Sequence, residues 1–127
     1  DNIVYNNSKE SERNNIFMER LFIHTEPFRK CWKAMGLGDN ELSILENMLL
    51  ADPKAGDVIE GTGRARKIRI KLNDNRGKSG GGRVIYVDIY EKARIYLLFA
   101  YPKNVQENLT ADQKKAIHNL IEAIEKE

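Results

Sequence analysis

Between residues 64 and 83 the sequence places Arg64, Arg66, Lys67, Arg69, Lys71, Arg76, Lys78 and Arg83 against a single acid, Asp74. This stretch carries +7 in a chain whose formal net charge is +2, so the remainder carries −5. A basic centre inside an acidic frame suits a polyanionic partner. The plainer explanation is a solvated strand face followed by a charged loop. Single-stranded nucleic acid asks for more than charge, because cations track the phosphates while aromatic faces stack on bases. Tyr86, Tyr90, Tyr96 and Tyr101 follow the basic run and supply rings. Tyr90 and Tyr96 fit better as core residues whose hydroxyls are bonded, as buried tyrosines usually are.

Other chemistries fall away on spacing. Gly77-Lys78-Ser79 looks like the end of a phosphate-binding P-loop, yet the earlier glycine position holds Leu72, and a strand rather than a helix follows. His24 and His118 have no Cys or acid at chelating spacing, so they read as structural or surface residues and no metal or other cofactor is expected. Cys31 lies among Phe28, Trp32 and Met35 and reads as core, with no second thiol to pair with. Asn6 and Asn108 begin glycosylation sequons that carry no weight without a secretory signal.

The elements that position these residues are legible from their periodicity. With 127 residues, 41% hydrophobic and 31% charged, the chain fits one domain with one core. Its longest apolar run, residues 95–101, has strand length, so no membrane span is expected, and a reducing cytoplasm is the default compartment. Residues 1–15 are polar and Asn-rich and read as a tail. A short strand at residues 21–23 stops at Thr25-Glu26-Pro27, where Thr25 caps a helix whose apolar face is Phe28, Cys31, Trp32 and Met35. After Gly36-Leu37-Gly38, Asp39 is the expected cap of a second helix carrying Leu42, Leu45, Met48 and Leu49 as far as Pro53. The period then becomes two, with Ile68, Ile70 and Leu72 alternating with Lys67, Arg69 and Lys71. Residues 73–82 read as a loop, and residues 84–89 and 94–101 as an antiparallel hairpin with both faces substantially apolar. Thr110 with Gln113 makes a capping box ahead of Ile117, Leu120, Ile121 and Ile124. The result is an α+β fold of order β-α-α-β-β-β-α, a small antiparallel sheet with helices packed on one face and the other left for ligands.

Several linked motifs stand in register along this frame. Gly56-Asp57-Val58-Ile59-Glu60-Gly61-Thr62-Gly63 precedes Arg66-Lys67-Ile68-Arg69, then Gly77-Lys78-Ser79-Gly80-Gly81 with Arg83-Val84-Ile85-Tyr86, and finally Ile95-Tyr96-Leu97-Leu98 with Tyr101-Pro102-Lys103-Asn104. From Met18 to about Glu125 this order resembles the RelE/HigB-type toxins of bacterial type II toxin-antitoxin systems, closest to the HigB-like branch. The resemblance implies a RelE-like domain over residues 18–127, preceded by an extension, residues 1–17, that is dispensable for activity. It implies a cytoplasmic endoribonuclease that enters the ribosomal decoding site and cuts messenger RNA there without a metal, inhibiting translation. It further implies restraint by a helix-turn-helix antitoxin, with operator DNA bound only through the toxin-antitoxin complex. In such toxins the ribose 2'-hydroxyl attacks the adjacent phosphate.

Carried onto this chain, the resemblance points to Lys67, Arg69, Arg83, Tyr101 and Lys103 as catalytic residues. Arg69 and Arg83 become phosphate clamps, since a guanidinium stays protonated. Lys67 becomes a candidate base, because a lysine among other cations is the one able to give up its proton, and Lys103 a cation or proton donor. Roles can exchange among Lys67, Arg69 and Lys103. Tyr101 would stack on a base or orient the phosphate. Arg64, Arg66, Lys71, Arg76 and Lys78 become further RNA contacts. Pro102 and Val105 depart from the family pattern beside Lys103. The alternative is a non-catalytic RNA- or ribosome-binding module regulated by a partner protein.

Overall fold

The computed structural model describes residues 2–6, 19–72 and 81–127 of the chain. In chain order the elements are β1 (Asn2–Asn6), β2 (Arg20–His24), α1 (Glu26–Ala34), α2 (Asp39–Ala51), β3 (Asp57–Val58), β4 (Arg66–Ile70), β5 (Gly82–Ile89), β6 (Arg94–Pro102) and α3 (Ala111–Glu125). The strands form one sheet in the order β1-β2-β6-β5-β4-β3.

The α+β class and the succession from β2 onward match the sequence reading except for the two-residue strand β3, which it did not contain, and three larger features differ from it. First, the sheet is mixed, because β2 runs parallel to β6, with Leu21 opposite Arg94 and His24 opposite Leu97. The chain returns to β2's side only after two helices and three strands, a crossover that leaves no local mark. Second, the backbone of residues 2–6, read as part of a tail, pairs antiparallel with β2 from Asn2 opposite His24 to Asn6 opposite Arg20. Ile3, Val4 and Tyr5 are good strand formers, and the outer edge of β2 offers them backbone partners.

Third, the helices cover both faces of the sheet. On one, Phe28, Trp32 and Met35 of the α1 segment and Leu45, Leu49 and Leu50 of α2 pack on Phe22, Ile68, Val84, Tyr86, Ile95, Leu97 and Ala100. On the other, Ile117, Ile121 and Ile124 of α3 pack on Ile23, Ala65, Ile85, Val87, Ile89, Tyr96 and Leu98. Helices on one face alone would have left the second apolar row of β5 and β6 in water; burying each of the three isoleucines contributes about 2 kcal/mol.

The local signals behave as their chemistry dictates. Thr25 caps α1 by accepting from Phe28 N, with Pro27 in the first turn. Thr110 and Gln113 close the expected capping box of α3. The cap of α2 is Gly38 rather than Asp39, and the Glu41 carboxylate accepts from its N–H at 2.8 Å. The hairpin turns through Tyr90–Lys92 and Ala93, whose φ is 54°. Gly81, with φ at 70°, enters β5 where a Cβ would run into the Ile70 carbonyl.

Candidate active site

The register of β4, β5 and β6 assembles a row of the predicted residues. Arg69 lies opposite Arg83, and Arg83 lies opposite Tyr101. Ile68 and Ile70 face the α1/α2 side, so Lys67, Arg69 and Lys71 face the α3 side, as does Arg83 beside Ile85. Tyr101 reaches that side only because of a bulge: Ile85 pairs with Phe99 but Tyr86 with Leu97, leaving Leu98 as an extra residue in β6. Strict alternation from Tyr96 would turn Tyr101 to the opposite face.

The members of the row differ in exposure. Arg69 and Lys71 are exposed and Lys67 is half-buried, whereas Arg83 is 4% and Tyr101 3% exposed. Among the described residues no acid forms an ion pair with Lys67, Arg69 or Lys71. Arg83 Nη1 donates to the Gly82 carbonyl at 3.0 Å, which fixes its guanidinium within the row. Burial pushes the Tyr101 phenol up from its usual range, the Arg83 charge pulls it back, and the Glu107 charge adds to the rise. The Tyr101 hydroxyl donates to the Glu107 carbonyl at 3.4 Å. Lys103 follows two residues later, its Nζ 3.9 Å from Glu107 Oε1. Lys67 Nζ donates to Asn108 Oδ1 at 3.2 Å. Such a row can hold a phosphodiester and place a lysine and a phenol beside it.

Not every predicted contact joins the row. Arg64 lies at the far end of the sheet: Nη1 reaches Glu91 at 2.9 Å and Glu125 at 3.0 Å, Nη2 donates to the Asp88 carbonyl at 3.1 Å, and the guanidinium sits 5.1 Å from the Tyr90 ring centre. These acids raise the Arg64 pKa further, and Arg64 holds the Glu91 carboxyl down at about 2. Arg66, one residue out of phase with Lys67, turns to the α1/α2 side and donates to the Gly56 carbonyl at 2.7 Å. Both guanidiniums are thus engaged by groups of the scaffold and stand apart from the row. Arg76 and Lys78 lie outside the described residues.

The tyrosines sort likewise. Tyr86 is fully buried, donates to the Pro53 carbonyl at 2.8 Å and accepts from Gly56 N at 2.9 Å, so it has no free ring face. Tyr96 is core as expected, whereas Tyr90, expected there too, is 69% exposed beneath Arg64. His24 is buried and its Nε2 lies at hydrogen-bond distance, 2.7 Å, from Glu46 Oε2, a pairing between β2 and α2 that spacing did not reveal. Among the described residues no three His, Cys, Asp or Glu side chains gather as a metal site, and no helix is long and apolar enough to cross a membrane. Sequence reasoning missed Asn108 and Glu107, whose signal was only their place between β6 and the capping box of α3.

No protein-family model matches the chain. Among solved structures, it is similar to a mutant of the E. coli toxin RelE in the free state, at 22% identity over 68% of this chain and 85% of that one, with a TM-score of 0.47. It is also similar to the isolated E. coli RelE toxin, at 19% identity over 78% of this chain and 96% of that one, with a TM-score of 0.47.

Proposed function

We propose that this chain is the toxin of a toxin-antitoxin pair, a cytoplasmic endoribonuclease of the RelE type that cuts messenger RNA on the ribosome. The observation that carries this reading is the in-register row of Arg69, Arg83 and Tyr101, flanked by Lys67 and Lys71. The linked motifs quoted above support it independently. A helix-turn-helix antitoxin that silences the toxin, and operator DNA reached only through their complex, belong to the same proposal.

The chemistry follows from the groups available. Arg69, exposed, meets the phosphate first, and Arg83, held by backbone, supplies a charge that needs no reorganisation. Lys67 in its neutral form takes the proton of the ribose 2'-hydroxyl as that oxygen bonds to phosphorus. The bond from phosphorus to the 5'-oxygen breaks, and the leaving oxygen takes a proton from Lys103. The products are a cyclic phosphate and a free 5'-hydroxyl. Tyr101, beside Arg83, orients the phosphate, and Lys71 extends the track along the RNA backbone.

Inducing the protein in cells and mapping messenger ends tests the reading. Cuts in phase with codons support it, whereas intact messages on stalled ribosomes favour the binding module, which would use the same cations without chemistry. Binding of single-stranded RNA should weaken with salt, with a logarithmic slope of about −0.7 per phosphate neutralised.

A further inference from the structure

Residues 103–110, between β6 and α3, run beside the basic row and supply it with two acceptors. Asn108 Oδ1 accepts from Lys67 Nζ at 3.2 Å, and the Glu107 carbonyl accepts from the Tyr101 hydroxyl at 3.4 Å. These acceptors are themselves fixed. Gln106 Nε2 donates to the Asn108 carbonyl at 2.9 Å and to Gln113 Oε1 at 2.7 Å. Gln113 Oε1 also accepts from Thr110 N at 2.9 Å, so the capping box that starts α3 also anchors this segment. Leu109, buried among the residues under α3, pins it from below.

We propose that Asn108 is a positioning residue for Lys67, which it holds in the basic row through a neutral acceptor. The inference rests on the reading of this site as a nuclease. A lysine side chain has four rotatable bonds, and from a half-buried strand position it would otherwise sweep a wide volume. The kind of acceptor matters as much as its place. A carboxylate there would favour the ammonium form, whereas an amide oxygen binds the nitrogen without adding a charge that retains its proton. Neutral Lys67 keeps two N–H groups, one of which serves Asn108 while the lone pair faces the 2'-hydroxyl.

Two measurements on the full chain test this. The Lys67 titration is followed by NMR of its side-chain carbon and nitrogen in the purified protein. Single-turnover cleavage of a short message on programmed ribosomes is followed against pH. Asn108→Asp should move both the Lys67 titration and the rising limb of the rate profile upward by about one pH unit. Asn108→Ala should slow cleavage about tenfold at fixed pH, with melting temperature and RNA affinity unchanged. An unmoved Lys67 titration in Asn108→Asp, or full activity in Asn108→Ala, overturns the proposal. If the wild-type protein does not cleave although its Lys67 titration responds to Asn108→Asp, the nuclease reading falls, and Asn108 loses its catalytic purpose while the contact itself stands.

Discussion

Arg64 and Arg69 belong to one basic run and end in opposite electrostatic settings. Arg64 is enclosed by Glu91 and Glu125, capped by the Asp88 carbonyl and laid over Tyr90, so its charge is spent tying β4's entrance to the hairpin turn and the end of α3. Arg69 is exposed, stands across from Arg83, and meets no acid among the described residues. Two of the chain's acids fold against Arg64, whereas among the described residues none forms an ion pair with Arg69. Charge density along the sequence therefore says little about charge on the surface, because what decides it is where the acids fold to.

The sharpest way to break this contrast is to remove the arginines in turn. Arg69→Ala and Arg83→Ala should each lower cleavage by about 100-fold or more, the usual cost of losing a group that stabilises transition-state charge. Arg64→Ala should leave the single-turnover rate within about twofold and lower the melting temperature instead. Similar losses of cleavage in all three would erase the distinction between the two ends.

The acid-paired kind of setting has a more buried form on the other face, where His24 and Glu46 are each 3% exposed. Glu46→Ala strands a buried histidine and should cost about 3 kcal/mol in denaturant unfolding, again without a specific loss of cleavage. A smaller effect concerns pH. Glu91 has its pKa lowered from 4.5 to about 2, first of all by its hydrogen bond with Arg64. The stability this pairing contributes is present above the unfolded value and is lost as pH falls toward 2. Thermal melts between those pH values should therefore decline in the wild type and run flatter in Arg64→Ala; parallel curves would show that the pair does not contribute. Smallest of all, deleting residues 1–17 removes β1 from the sheet edge opposite β4 and should leave cleavage unchanged, a result read from the same single-turnover assay.

Much of the frame was legible because its signals are local. Thr25, Pro27 and the Thr110–Gln113 box announce helix starts, since each acts on backbone groups within one turn. Alternation from Lys67 to Leu72 correctly separates the cations from Ile68 and Ile70, because neighbouring strand residues point to opposite faces. Even the place of α3 had a trace, in the apolar residues on both faces of residues 84–89 and 94–101. The candidate site was legible only as a set of cations and rings, and composition could not show that Arg64, Arg66 and Tyr86 would find partners in the scaffold.

By itself, then, the sequence determined the class of fold, the caps, the amphipathic faces and the concentration of positive charge, all of which follow from residues close together in the chain. Tertiary structure alone decided which cations lie together. The extra residue at Leu98 turns Tyr101 toward Arg83, the parallel docking of β2 completes the sheet, Glu125 reaches back to Arg64, and Asn108 meets Lys67. Each of these joins segments distant in sequence, and such a pairing exists only after the sheet has set its register and α3 has found an apolar face to cover.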